Sequence, residues 1–281
     1  VLQAGTWFED PGVTVSDDLG SDLSDHLVTE GVVIPWFAGD YQISYSITSE
    51  LGETISAVRN VQVVPVGLPQ TVTPEEKTIY LTFDDGPGPY TARLLDVLDK
   101  YGAKATFFVT AQDTRYLDQI GRAFKAGHSI GVHTSSHDYD RIYASEYAFF
   151  EDFFSMEEII RQQTGEYTRL FRFPGGSSNT VSNFNPGIMS RLTRALNDMG
   201  YQYFDWNVTS GDAGGTTKTD QVIQNIKDGC RQHRISVVLQ HDIKDYSVAA
   251  VESILNWGRE NGYSFKALQL DSPGTHHGVN N

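Results

Sequence analysis

Cysteine is almost absent from this chain: Cys230 is the only one in 281 residues. That excludes an internal disulfide framework and fits a bacterial exported protein or a cytosolic one. A nucleophilic thiol needs an activating base, and the sequence suggests none, so Cys230 reads as a small buried filler on a helix. Long apolar runs are missing as well. None approaches the roughly 20 residues of a membrane helix, so no membrane span is expected in this segment. No basic start leads into a short apolar stretch and a small-residue cleavage site, the pattern of a signal peptide. Val1 is not a natural start, and a signal or anchor is expected upstream of it. Positive charge is scarce: 21 Lys and Arg stand against 36 Asp and Glu, for a net charge of −15. No basic stretch could track a phosphate backbone, which argues against nucleic acid as a partner.

What is present divides into two rhythms. Residues 1–66 carry ten Asp or Glu and a single base, Arg59. Tyr41, Ile43, Tyr45 and Ile47 alternate with polar residues, the period of a strand with one buried face. Leu51-Gly52-Glu53 supplies a turn, and a valine-rich run from Ile55 to Val64 predicts the return strand. Shorter β pieces are expected at Val13–Val15 and Val32–Ile34, giving a small all-β sandwich. The run Asp17-Asp18-Leu19-Gly20-Ser21-Asp22 lacks the spacing of a calcium loop and reads as turn chemistry. Val13-Thr14-Val15-Ser16-Asp17-Asp18-Leu19 and Gly39-Asp40-Tyr41-Gln42-Ile43-Ser44-Tyr45 resemble bacterial immunoglobulin-like modules of surface proteins. Such modules act as spacers or adhesive units. Residues 67–76, with Gly67, Pro69 and Pro74, predict a linker.

From residue 77 to 270, short apolar runs alternate with amphipathic stretches. The runs are Ile79–Phe83, Thr106–Val109, Ser129–Val132, Leu170–Arg172, Tyr203–Trp206, Ser236–Leu239 and Phe265–Leu268. Helices are expected around Leu94–Leu98 up to Gly102, after Ser145 through Ile160, from Ile188 to Gly200, and from Val248 towards Gly262. This alternation predicts an α/β fold, a distorted (β/α) barrel of about seven repeats with a parallel sheet. Residues 271–281 form a polar tail whose His276 and His277 read as part of a flexible end. His128, before a strand, reads as structural.

In such a barrel, chemistry sits where strands end. Asp84-Asp85 follows the first run, His133 and His137 the third, Arg172 ends the fourth, Asp212 lies in the loop after the fifth, and His241 follows the sixth. Adjacent carboxylates repel unless a cation or proton divides their roles. Alone, Asp84-Asp85-Gly86-Pro87 could be a solvated acidic turn. Two histidines four apart suit one helix face or a tight loop, and alone they could be surface residues. Joined to Asp85 they make a His-His-Asp set that leaves a metal with an open face.

The succession Thr82-Phe83-Asp84-Asp85-Gly86-Pro87, His133-Thr134-Ser135-Ser136-His137, Arg172-Phe173-Pro174-Gly175-Gly176 and Leu239-Gln240-His241 closely resembles the polysaccharide deacetylase family, carbohydrate esterase family four. The resemblance implies a divalent metal, zinc first, with Co²⁺, Ni²⁺ or Mn²⁺ as alternatives, held by Asp85, His133 and His137. It implies Asp84 as general base, Arg172 as the residue holding it, and His241 as general acid supported by Asp212. Pro174 and Gly175 would border the oxyanion, and Leu239 would line an acetyl pocket. Two departures stand out. Gly175 occupies the place of an aromatic residue, which removes an aromatic wall and leaves room for a bulkier glycan. Ala213 follows Asp212 where a tryptophan often stands, and Asp205-Trp206 is a rival for the supporting carboxylate.

The implied reaction is hydrolysis of N-acetyl groups on a glycan, releasing acetate. N-acetylglucosamine of bacterial peptidoglycan is the first substrate, with chitin oligomers or acetylated xylan as alternatives. An inactive wall-binding or adhesive protein is the rival from another class. The expected partner is an N-acetylated polysaccharide, and the expected location is extracellular or cell-surface.

Overall fold

The structure, a computed structural model, describes all residues 1–281. The chain forms two compact units, residues 1–67 with 194–200, and residues 68–193 with 201–281.

The first unit carries one four-stranded sheet. Its strands are β1 (Leu2–Gln3), β2 (Val28–Glu30), β3 (Gly39–Thr48) and β4 (Thr54–Val64), in the order β1-β4-β3-β2. β3 and β4 form the hairpin expected from the alternation, in register from Gly39 opposite Val63 to Thr48 opposite Thr54. Ile43 and Tyr45 are buried while Gln42 is exposed. Arg59, the sole base of the segment, pairs with Asp10, which also accepts the Tyr45 hydroxyl at 2.7 Å. Two short expected strands do not form. Val13–Val15 is irregular, touching the sheet pattern only at an isolated Ser16–Asp22 bridge. Pairing with β3 falls on Val28–Glu30 rather than Val32–Ile34, because Gly31 turns the chain away with φ 101°. A Cβ at Gly31 would lie 2.2 Å from the Gln42 carbonyl oxygen, so only glycine fits there. A second sheet is not formed. In the acidic run, Asp17 Oδ1 accepts the N–H groups of Leu19 and Ser21 at 2.9 and 2.8 Å, so that carboxylate serves a turn.

The second unit is built on a parallel sheet of eight strands: β5 (Thr78–Asp84), β6 (Ala105–Val109), β7 (Ser129–Val132), β8 (Leu170–Phe171), β9 (Gln202–Tyr203), β10 (Val208–Thr209), β11 (Ile235–His241) and β12 (Ser264–Phe265). Seven overlap the apolar runs, β9 and β12 by one residue each, Tyr203 and Phe265. The eighth, β10, carries no apolar run, since Val208 is flanked by Asn207, Thr209 and Ser210. The order is β10-β11-β5-β6-β7-β8-β9, with β12 against β5. β9 and β10 do not pair, so the barrel is open along one seam. Every residue of β5 is buried, as a central parallel strand covered on both faces requires. Tyr80, Phe108, Leu170, Phe204, Val237 and Leu268 meet in the core.

Seven helices lie between the strands, α3 and α4 in succession and none between β9 and β10: α1 (Thr91–Lys100), α2 (Asp118–Lys125), α3 (Tyr139–Ile142), α4 (Glu146–Thr164), α5 (Ile188–Asp198), α6 (Thr219–Arg231) and α7 (Asp245–Glu260). Ser145 caps α4 by accepting the Ala148 N–H at 3.1 Å, and Gly165, with φ 83°, ends it. Cys230 is buried in α6. No helix is long and apolar enough to cross a membrane. Residues 67–76 contain neither helix nor strand.

The C-terminal end is not a loose tail. Asp205 N–H donates to the Thr275 carbonyl at 2.7 Å, and His277 N–H donates to Asp205 Oδ2 at 2.8 Å. His276 stacks on Tyr203 with ring centroids 4.0 Å apart. Asn281 accepts the Gly187 N–H at 2.6 Å and donates to the Ser182 carbonyl at 2.9 Å. Polar composition suggested a solvated end. The same polar groups instead find partners on residues 177–206.

Candidate active site

Strand register explains why residues distant in sequence meet. β11 runs beside β5 with His241 opposite Asp84, so both side chains emerge at the same strand ends. β7 pairs with β6 up to Val132 opposite Val109, which sets His133 one step beyond the sheet. β8 ends at Phe171, placing Arg172 at the same level. The strand ends open on a cavity of about 600 Å³ lined by Asp84, Asp85, His133, His137, Gly175, Asp212, Leu239 and His241. Arg172 lies fully buried behind Asp84. Pro174 is buried outside the cavity lining, its carbonyl accepting the Tyr143 hydroxyl at 2.8 Å. Another hollow, about 430 Å³, lies where β7 and β8 begin, and no cluster of nucleophile, base or metal ligands faces it.

Asp85, His133 and His137 bring one ligand atom each to within 4.8 Å of one another. Asp85 Oδ1 is 3.6 Å from His133 Nε2 and 3.4 Å from His137 Nε2. It is buried with no hydrogen-bond partner. His133 Nδ1 lies 2.8 Å from the Arg172 carbonyl, which can only accept, so Nδ1 carries the proton. Nε2 then aims a lone pair at a carboxylate oxygen, an arrangement that repels unless a cation sits between. Metal–ligand bonds of about 2.0–2.2 Å around a tetrahedral centre separate donors by roughly 3.3–3.6 Å, so the three residues fit one divalent ion. Burial pushes the His133 imidazole down to about 3, keeping it neutral as a ligand must be.

The backbone holding these donors is strained. Asp85, Thr134 and His137 have φ of 68°, 64° and 53°, the left-handed region that residues with a Cβ avoid. The loop from His133 to His137 is tied by a residue that sequence reading missed. Asp152, buried on α4, accepts the N–H groups of Ser135 and Ser136 on Oδ1 at 2.6 and 3.0 Å. Its one sequence signal is an acidic residue among the core-facing Phe149, Phe153 and Met156.

Asp84 is buried, and its Oδ1 accepts from Arg172 Nη1 at 2.8 Å. The rest of the guanidinium is committed: Nε donates to the Phe204 carbonyl at 2.8 Å, Nη2 to the Asp205 carbonyl at 2.9 Å, and Nη1 also to Thr82 Oγ1 at 2.6 Å. Arg172 thus has one orientation. Burial raises the Asp84 carboxyl above its ordinary range, against the opposing charge of Arg172. On the other side of the cavity, His241 Nδ1 lies 2.8 Å from Asp212 Oδ1. Burial works against the charged imidazole, but the Asp212 hydrogen bond and the surrounding carboxylates outweigh it and lift His241 to about 9. Burial would also raise Asp212. Its contacts with His241, Ser247 and Ser210 overcome that and hold it low. Asp205, the rival carboxylate, is spent elsewhere: it accepts Ser177 N–H at 2.8 Å, Ser177 Oγ at 2.5 Å and His277 N–H.

Gly175, with φ 77°, replaces an aromatic side chain, yet the cavity keeps aromatic walls in Tyr139 and Trp206. Tyr139 packs on His137 with centroids 5.1 Å apart, and Trp206 meets His277 edge-on at 4.8 Å. Lys244 and Tyr246 also line the cavity without a sequence signal.

A peptidoglycan-N-acetylglucosamine deacetylase of Bacillus cereus is 34% identical over 204 residues, covering 70% of this chain and 71% of that protein. The chain belongs to the polysaccharide deacetylase family. The family model for polysaccharide deacetylase matches residues 71–204, and that for the Ig-like domain of bacterial surface proteins matches residues 1–63. Among solved structures, the catalytic domain of peptidoglycan N-acetylglucosamine deacetylase from Eubacterium rectale is 54% identical. It covers 76% of this chain and 98% of that one, with a TM-score of 0.75. A polysaccharide deacetylase of Bacillus cereus is 32% identical, covers 71% of this chain and 96% of its own, and has a TM-score of 0.62. This polysaccharide deacetylase is therefore a hydrolase of a family that uses a divalent metal.

Proposed function

We propose that this enzyme removes the acetyl group from N-acetylglucosamine in bacterial peptidoglycan, using a divalent ion, zinc first, held by Asp85, His133 and His137. The carrying observation is the orphaned Asp85 Oδ1 facing two imidazole nitrogens, with Asp84 and His241 in register on adjoining strands. When bound there, the cation supplies Lewis acidity for a carbonyl and for water. Asp84, fixed by Arg172, accepts the proton of the attacking water. The Gly175 N–H is free of backbone hydrogen bonds and borders the cavity, where it donates to the oxygen gaining charge. His241, held protonated by Asp212, gives its proton to the departing amine. Leu239 offers the apolar contact for the acetyl methyl.

The peptidoglycan substrate is supported by the names of the Bacillus cereus and Eubacterium rectale proteins and by the surface-type module. The same module supports a location at the cell envelope. Incubation with peptidoglycan fragments, chitin oligomers and acetylated xylan, followed by mass spectrometry and acetate assay, tests this reading. Acetate release is expected to be greatest from peptidoglycan, to stop with a chelator and to stop in Asp84→Asn. Absence of acetate from every substrate under every metal condition would favour a binding protein instead.

A further inference from the structure

Three carboxylates line the active-site cavity, Asp84, Asp85 and Asp212, in a protein of net charge −15. Such a field disfavours an acidic substrate. Besides the His241 imidazolium, which Asp212 engages, one cationic side chain lines the same cavity: Lys244, half-buried at the N-terminal boundary of α7. Its backbone N–H donates to the His241 carbonyl at 3.3 Å, which fixes it three residues beyond the His241 imidazole. The carboxylate nearest in sequence is already engaged, since Asp245 pairs with Arg93 at 2.5 Å. No carboxylate pairs with Lys244, so its charge is available to a ligand. The facing loop is small: Ala213 and Gly214 are exposed, and a Cβ on Gly214 would meet nothing within 4 Å. Gly175 also carries no side chain into the cavity.

We infer that Lys244 is the recognition point for a carboxylate carried by the glycan, in the open space beside Gly214. This rests on the glycan-deacetylase reading for what enters the cavity, and it adds that an acidic substituent is selected. Two sources share this chemistry: a lactyl ether on a sugar ring, or the carboxylates of a peptide attached to it. A long flexible ammonium suits either, because it needs no bidentate geometry.

The test is calorimetric binding to the zinc-loaded full chain, with Lys244→Gln and Lys244→Arg beside the wild type. The ligands are a neutral chitin oligomer, a peptide-free glycan with free lactyl carboxylates, and a peptide-bearing glycan. Lys244→Gln is expected to weaken binding of a carboxylate-bearing glycan roughly fivefold, the size of a half-exposed ion pair. Neutral oligomer binding should be unchanged, Lys244→Arg should restore affinity, and added salt should erase the difference. Weakening on the peptide-free glycan assigns the lactyl carboxylate, and weakening on the peptide-bearing glycan alone assigns the peptide. Equal weakening on the neutral oligomer, or no weakening on either charged glycan, overturns the inference. Acetate is read separately in the same samples, so failure of turnover is distinguished from failure of this contact.

Discussion

Asp212 holds His241 at two points: its Oδ1 lies 2.8 Å from the imidazole Nδ1, and its Oδ2 accepts the backbone N–H of the same residue at 2.8 Å. Ring and main chain are thereby locked to one carboxylate. Asp212→Asn keeps the size of the group and one acceptor but removes the charge that favours the imidazolium. The expected result is a fall in kcat of about 10²–10⁴-fold with little change in KM, the range for loss of general-acid assistance. Metal content, measured by atomic absorption, should stay at the wild-type level. A variant with unchanged kcat would remove His241 from the proton transfer.

Asp152 makes a second prediction at a residue outside the ligand set. Its carboxylate holds the Ser135 and Ser136 N–H groups, and His137 beyond them has left-handed backbone. Asp152→Ala should leave the fold intact by circular dichroism and lower metal affinity about 10–100-fold, as loss of an outer-shell support does. Titration with zinc reads this directly. Unchanged affinity would mean that the loop holds its shape without Asp152.

The C-terminal segment supplies a third. Removing residues 275–281 takes away the His277 N–H from Asp205, whose carboxylate also holds the loop at Ser177. It also strips His277 from Trp206, a wall of the cavity. A buried carboxylate losing a donor costs about 1–3 kcal/mol. Urea unfolding should show a loss of that size, kcat/KM should fall, and zinc affinity should be unaffected. Full stability and activity after truncation would make the segment a surface ornament.

A fourth concerns pH. His128 is buried and accepts the Ala105 N–H on Nδ1 at 3.2 Å, which requires the neutral ring. Burial, helped by the charge of Lys104, pushes it down to about 4, below the ordinary value near 6.5. The unfolded chain therefore binds more protons between these values. Stability from this group is fully present above about pH 6.5 and is lost as pH falls through 4. The loss is on the order of 2–3 kcal/mol. In His128→Gln that component should vanish, so urea midpoints of wild type and variant should converge as pH falls from 7.5 to 4.5. Parallel curves would exclude His128 as a source of the pH dependence.

Much of the fold and of the site is legible in the sequence. Seven of the eight barrel strands overlap short apolar runs, because parallel strands covered on both faces are mainly apolar, with a few buried polar residues such as Thr82 and Gln240. Asp84, Asp85, His133 and His241 stand at the ends of those runs, and the rule that chemistry gathers there brought them to one cavity. Asp152, Trp206 and Lys244 were not legible. Asp152 and Trp206 act through partners 16 to 71 residues away, Lys244 lines a cavity that only the fold assembles, and nothing in their local pattern differs from an ordinary core or surface position. His276 and His277 misled for a related reason: a polar segment looks solvated unless its partners, Tyr203, Asp205 and Trp206, are known to lie beside it. In the first unit, valine runs suggested two strands that Gly31 and the acidic turns redirect.

The central claim is that Asp85, His133 and His137 grip one divalent ion. Anomalous diffraction at the zinc edge from zinc-soaked crystals tests it most directly. The prediction is a single strong peak within bonding distance of Asp85 Oδ1 and the Nε2 atoms of His133 and His137, absent in His137→Ala. A structure with zinc bound elsewhere, or with no peak among these three side chains, would contradict it.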